Sequence, residues 1–380
     1  MKKILVVTGS RGEWGYLRPI LALWKEHEAI SFDILVTNMH LLASYGNTYR
    51  EIENDGFQIK YKISMAMASD DYFSHAKGLS VFMQGLSDIF LNENYDLVLL
   101  SGDRGEQLAA AMCASYCYIP VAHIQAGEVS GNIDGLARHA IGKLAHIHFA
   151  SNEDAAKRLL ALGEQDFRVK MVGAPQIDDM VSLTLPSDAV IAKTIDNLPN
   201  EKFILSVLHP VTENLSVMED EAKQYFNALA SLGSKIVHIM PNNDVGHDIV
   251  NAQLHNSKIK NLRIFKNLNR EVYLWLLKNC MCIVGNSSSG ILEAPTYRTP
   301  CVNIGRRQKG RFQGHNVLNC KFEVKEILEI IKVAVSEEFK TRLQSLPNNP
   351  YGSGDSAEKI TEILSNLMID RCLLVKELTL

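Results

Sequence analysis

Between positions 123 and 134 the chain reads HIQAGEVSGNID, which brings together a histidine, a glutamine and two carboxylates. The stretch follows the apolar YIPVA and precedes GLARHAIGKLAH, so these groups stand where a buried strand hands over to a helix. A simple turn needs far fewer functional side chains. Asp103, in SGDRGE, follows another very apolar run, and His209, before Pro210, ends a further one. Carboxylates and an imidazole at strand ends suit general acid–base work on a bound ligand. Each also has a plainer reading. Asp103 and Asp134 can be helix N-caps, and His139 and His146 can be satisfied structural histidines.

A different chemistry stands further along. VGNSSSGILEA places a strand end, a hydroxyl-rich turn and a helix start in succession. Free N–H groups at a helix start suit a phosphate, and Ser287 and Ser288 add hydroxyl donors. Glu293 is placed to accept from a ribose, while plain N-capping by serine is the simpler account of the turn. Downstream, RRQKGR supplies Arg306, Arg307 and Arg311, either a solvated basic loop or bidentate phosphate ligands. Taken with the serine turn, they favour a nucleotide diphosphate. Near the N-terminus GSRGEWG lacks both GxGxxG and GxxxxGK, although Arg11 can reach a diphosphate; Trp14 is expected to be packed rather than stacked on a base. No pair of ligands at metal spacing occurs, so neither a metal nor another cofactor is expected.

The elements that must position these groups alternate. KILVVTG, FDILVT, DLVLLSG, PVAHIQ and IHFAS read as strands, with helical spacing in YLRPILALWKEHE, SVFMQGLSDIFLNE and RGEQLAAAMCASY. After an aperiodic, proline-containing stretch at 174–198, read as a linker, the alternation restarts with KFILSVLHP and runs to PCVNIG. The pattern predicts an α/β chain of two Rossmann-like domains facing a cleft, 1–175 with the candidate acids and 198–350 with the phosphate site. The last helix, within 355–380, is assignable to either. Ligands of open parallel sheets bind beyond the carboxyl ends of the strands, and all the groups named above fall there.

Bulk composition narrows the class. The 380 residues are 22% charged and 46% hydrophobic with net charge −4, an ordinary globular balance. The absence of a basic tract excludes nucleic acid, and no apolar run approaches the roughly 18 residues of a membrane span. MKKILVV is too short for a secretory signal and reads as a first strand. Seven cysteines without a CxxC pair give neither a disulfide framework nor a zinc site, so a cytoplasmic protein with reduced thiols is expected.

In order, GSRGEWG, SGDR, HIQAGEVSGNID, RHAIGKLAH, HPVTEN, PNND, GNSSSGILEA and GRRQKGR resemble the hydrolysing UDP-N-acetylglucosamine 2-epimerases, over the chain up to about residue 315. The resemblance implies a glycosyltransferase-B type fold and a homodimer or homotetramer. It implies conversion of UDP-N-acetylglucosamine, or of UDP-N,N'-diacetylbacillosamine, to UDP and the free 2-epimerised sugar, as in sialic or legionaminic acid synthesis. By motif position, Arg11, Gly15, Arg104, Asn242, Leu268, Ser287, Ser288, Glu293, Arg307 and Arg311 would hold UDP. Asp103, Gln125, Glu128, Asp134 and His209 would form the acid–base set, and the 64–75 loop part of the wall around the sugar.

One position departs from the pattern. The family usually carries glutamate where this chain has Gln125, and an amide neither takes nor delivers a proton at neutral pH. Either another carboxylate serves, or Gln125 orients sugar or water, or the site is impaired; the first two together fit an otherwise intact motif set. The rivals are a glycosyltransferase of the same fold and a silent nucleotide-sugar-binding protein.

Overall fold

The computed structural model describes residues 1–67, 71–195, 198–347 and 349–379. The chain divides into two compact units. The first comprises Met1–Val129, Ile133–Val181 and the chain from Tyr351 onward; the second comprises Ser130–Asn132 and Ser182–Pro350. Each is a parallel sheet carrying helices, as the alternating pattern requires, and together they supply the two α/β domains of the glycosyltransferase-B type.

The first unit's sheet is built from β1 (Lys2–Thr8), β2 (Ile30–Thr37), β3 (Ile59–Ile63), β4 (Leu97–Ser101), β5 (Val121–Ala126), β6 (Ile147–Ala150) and β7 (Val169–Met171). Their spatial order is β3-β2-β1-β4-β5-β6-β7. β4 and β5 are buried along their whole length, the signature of strands covered on both faces. The order reverses between β1 and β4, so the crevice at the carboxyl ends of those two strands is where a ligand of this unit should sit.

The second unit's sheet comprises β8 (Phe203–Val207), β9 (Lys235–Ile239), β10 (Leu262–Phe265), β11 (Ile283–Gly285), β12 (Cys301–Ile304) and β13 (Val317–Cys320). Its order is β10-β9-β8-β11-β12-β13, with the reversal between β8 and β11.

Three sequence readings change. The helix expected from Tyr16 begins at Arg11, directly after β1. Ser10 is its N-cap, accepting from the Glu13 N–H, so GSRGEWG is a cap and a first turn rather than a glycine-rich loop. The stretch at 174–198 is not without structure: it forms the helices Gln176–Ser182 and Asp188–Thr194, whose two turns are too few for a period to show. Finally, the helix Ser356–Asn366 belongs to the first unit. Ile360 and Leu364 enter the same core as Leu17 and Trp24, and the Trp24 indole N–H donates to Thr361 at 2.9 Å. Trp14 is packed as expected, edge-on to Phe57 and donating to Asp55 at 2.8 Å.

Of the 64–75 segment, residues 68–70 lie outside the described residues; Asp71 caps the helix Tyr72–Asn92 that follows. No helix among the described residues is long and apolar enough to cross a membrane.

Candidate functional site

In the first unit the site grows from the ends of β4 and β5. Gly102, at φ 84, turns the chain out of β4 in a conformation that glycine adopts freely. Its N–H donates to the Ile124 carbonyl at 3.1 Å, and its own carbonyl accepts from His123 Nε2 at 2.6 Å. Burial, the dominant cause, pushes the His123 pKa down to about 3, so the ring is neutral with its proton on Nε2. The backbone leading into Asp103 is thereby held by β5.

The Asp103 carboxylate pairs with the guanidinium of Arg138, from the helix Ile133–Leu144. Asp103 is not a helix N-cap, because Arg104 takes that position on the helix Gly105–Tyr116. Asp134 is not one either: it is half-buried within the first turn of the Ile133–Leu144 helix.

Gln125 is the bulged residue of β5. The pairing with β6 slips between Ile124 and Ala126, and Gln125 adopts φ 64, a left-handed conformation costly for a side chain of its size. Its carbonyl accepts from Arg138 at 2.5 Å. The side chain is 1% exposed, and its Nε2 has no hydrogen-bond partner among the described residues. Glu128, three residues on, is buried and accepts from Ser151 Oγ at 2.5 Å and Asn152 Nδ2 at 2.6 Å. That carboxylate ties the loop to the end of β6.

Beneath this rim lie two further acids. Glu13 accepts from the Gly9 N–H at 2.5 Å and from Gln107 at 2.9 Å, while Glu106 accepts from Asn38 at 3.0 Å. Burial first, then the neighbouring Glu106 charge, pushes the Glu13 carboxyl well above the usual range. Arg104 Nε lies 3.4 Å from Glu106, and Arg11 opens the first helix; both cations therefore stand at the reversal between β1 and β4. Gly15 lies further along that helix, with open space where a Cβ would be.

The second unit's reversal point is fastened differently. Gly285 ends β11 at φ 137 so close to β8 that any Cβ would overlap the Val207 carbonyl oxygen. The next residue, Asn286, accepts from the His209 N–H at 2.7 Å and donates to the His209 carbonyl at 2.8 Å. His209 Nδ1 accepts from the Asn242 N–H at 3.3 Å, which leaves the proton of the neutral ring on Nε2. The Asn286 carbonyl accepts from Arg307 at 3.2 Å and Gln308 at 2.9 Å, so one asparagine joins the histidine to the arginine loop.

Arg311 is buried, donating to Gln308 at 2.9 Å and Ser130 at 3.3 Å, and the Gly131 N–H donates to the Arg307 carbonyl at 2.8 Å. Ser287 and Ser288 are half-buried, ahead of a helix of one turn, Ser289–Leu292. Ser287 Oγ accepts from the Ser289 N–H at 3.3 Å, while Ser288 makes no side-chain cap bond. Glu293 accepts from Arg270 at 2.6 Å on one oxygen and from Ser289 on the other. Leu268 is half-buried in the turn between β10 and the helix Arg270–Asn279.

The structure thus gathers Asp103, Gln125 and Glu128 in the first unit, and His209, Asn242, Arg307 and Arg311 in the second. Arg138, Asn286 and Gln308 were not singled out from the sequence as site residues. The signal for Arg138 was its place as the first residue of RHAIGKLAH, a motif already noted, and that for Asn286 was its position between a strand-ending glycine and the serines.

A family model described as UDP-N-acetylglucosamine 2-epimerase matches residues 23–365. The chain is 35% identical over 370 residues to a UDP-N-acetylglucosamine 2-epimerase of Neisseria meningitidis serogroup B, covering 96% of each chain. It is 33% identical over 377 residues, 99% of each chain, to the UDP-N,N'-diacetylbacillosamine 2-epimerase (hydrolyzing) of Legionella pneumophila. Among solved structures, that of UDP-GlcNAc 2-epimerase from Neisseria meningitidis bound to UDP-GlcNAc superposes with a TM-score of 0.80 at 20% identity, over 95% of this chain and 99% of that one. The S. aureus MnaA-UDP co-structure follows at 0.77 and 21% identity, over 96% of each chain. The chain therefore belongs to the UDP-N-acetylglucosamine 2-epimerase family.

Proposed function

We propose that the chain is a hydrolysing 2-epimerase that converts a UDP-linked 2-acetamido sugar and water to UDP and the free 2-epimerised sugar. The observation that carries this reading is the carboxylate of Asp103, salt-bridged and therefore a proton acceptor, at a sheet reversal beside the unpartnered amide of Gln125. The relatives support it, since one is described as hydrolysing and two solved neighbours hold UDP-GlcNAc or UDP.

In the proposed reaction a base removes the proton from C2. The C2–H electrons form the C1=C2 bond, and the C1–O bond breaks with its pair leaving on UDP. Water then adds to C1 of the glycal while C2 takes a proton on the opposite face. The C2 proton is weakly acidic, so stabilising the departing diphosphate supplies much of the rate; Arg307, Arg311 and the serine turn serve the diphosphate, with Arg11 and Arg104 at the other unit's rim. Asp103 is the base, His209 the partner that handles the proton of the leaving group or of water, and Asp134 a further acid of the set. Gln125 donates to an acceptor on the sugar or to water, which is what an unpaired buried amide N–H is suited to do.

Incubation with UDP-N-acetylglucosamine and, separately, UDP-N,N'-diacetylbacillosamine in deuterated water, with no acceptor present, tests the reading. The expected products are UDP and a free 2-epimerised sugar carrying solvent deuterium at C2. A nucleotide-linked epimer as the end product would overturn the hydrolytic step, and an undeuterated C2 the elimination. UDP binding without turnover, with turnover restored by Gln125→Glu, would instead assign a silent binding protein.

A further inference from the structure

Arg138 makes two strong contacts that no catalytic role requires of it. It is 3% exposed; one terminal nitrogen meets the Asp103 carboxylate and the other donates to the Gln125 carbonyl at 2.5 Å. A guanidinium is planar and its fork is rigid, so the two acceptors are fixed in relation to each other as well as to the helix that carries the arginine. Both acceptors come from the points where the first unit's backbone leaves regular structure. Asp103 follows Gly102 at φ 84, and Gln125 itself stands at φ 64 in the β5 bulge. The carbonyl turned out of the strand ladder at that bulge is the one Arg138 catches. Burial on this scale leaves the side chain unable to reach solvent, and its third nitrogen, Nε, has no hydrogen-bond partner among the described residues.

We propose that Arg138 is a positioning residue for the elimination step: it aims the Asp103 carboxylate and locks the Gln125 bulge, so that base and amide keep one geometry. This rests on the reaction proposed above. A lysine would supply the charge but not the fork, and a neutral residue would supply neither. The charged and titratable groups around Asp103 include Arg138 from the Ile133–Leu144 helix, Arg104 beside it, His123 from β5 and Glu13 beneath Gly102. His123 is neutral by burial, and Arg138 salt-bridges the base.

The test compares the intact protein with Arg138→Lys and Arg138→Met, with UDP affinity and thermal melting recorded for each. In Arg138→Met, kcat should fall about a hundredfold or more with KM little changed, and the ascending limb of its pH profile should move to higher pH as Asp103 loses its cation. Arg138→Lys should hold the limb near its original pH yet still lose about tenfold in kcat, because one amine cannot serve both acceptors. In an Asp103→Asn background, Arg138→Lys should cost less than it does in the unsubstituted protein. Unchanged kcat and pH limb in a folded Arg138 variant would overturn the proposal, as would fully additive losses with Asp103→Asn. Should Arg138→Met fail to fold, the lysine variant and the double-mutant comparison still decide it. Absence of UDP release by the unsubstituted protein would count against the proposed reaction instead.

Discussion

At the first unit's strand ends the fastening is ionic, with Arg138 against Asp103 and, deeper, a buried glutamate pair beneath two arginines. Around His209, at the second unit's strand ends, it is made by neutral amides. Asn286 grips the His209 backbone with both ends of its amide, and Gln308 donates its own amide N–H to the Asn286 carbonyl. In the proposed reaction the difference follows from what each rim would hold. A base must keep its charge and direction, which a guanidinium provides. A diphosphate site must keep cations available for the ligand, which neutral amides allow, because they fasten the loop without neutralising it.

Three substitutions break or sharpen that contrast. The largest effect is expected from Asp103→Asn, which preserves volume and removes the charge. Turnover should fall about 10²- to 10⁴-fold, while UDP affinity measured by calorimetry stays unchanged. A parallel loss of UDP binding would mean that the two rims do not divide the work in this way.

Next comes Asn286→Ala. It strands the His209 N–H and carbonyl in a buried site, at about 1–3 kcal/mol each. Urea denaturation should show the loss, and UDP affinity should weaken with it. An unaltered denaturation midpoint would show that water replaces the amide.

The smallest is a pH effect that belongs to the ionic side. Burial alone would raise the Glu164 pKa, but His148 and Lys376 hold the carboxylate down to about 2. A depressed carboxylate contributes stability that is complete above its unfolded value of 4.5 and is lost as pH falls toward 2. Glu164→Gln should therefore lower the melting temperature near neutrality and flatten its decline over that acid window. An acid limb identical to that of the unsubstituted protein would remove Glu164 from the account.

The legible parts of the fold were those with one physical cause. β1 and β4 carry near-continuous apolar runs, and β5 is buried throughout, because both faces of their sheet are covered, and they were readable as strands. β3, β7, β10 and β13 were not singled out as strands. They are short and half-exposed; β3 and β10, β7 and β13 lie at the sheet edges, where polar side chains break the apolar run.

The site divides in the same way. Asp103 and Gln125 were visible because strand ends are where such sheets bind. Arg138 was not, since its acceptors lie 35 and 13 residues away and a helical arginine reads as a solvated one. Glu293 shows the converse. It read as a ribose acceptor, yet Arg270, 23 residues earlier in the chain, already holds one of its oxygens.

The return of the chain to the first unit after Tyr351 has a consequence for biosynthesis. All seven strands of that unit are complete by Met171, yet Leu17 and Trp24 wait for Ile360 and Leu364 to close their core. Lys376 then reaches back to the carbonyls of Gly142 at 2.6 Å and Ala145 at 2.8 Å, at the C-terminal end of the helix that carries Arg138. Domains generally fold in order as the ribosome releases them. Here the first to emerge is among the last to be finished, and a nascent chain halted anywhere within the second unit leaves the unit that carries Asp103 open as well.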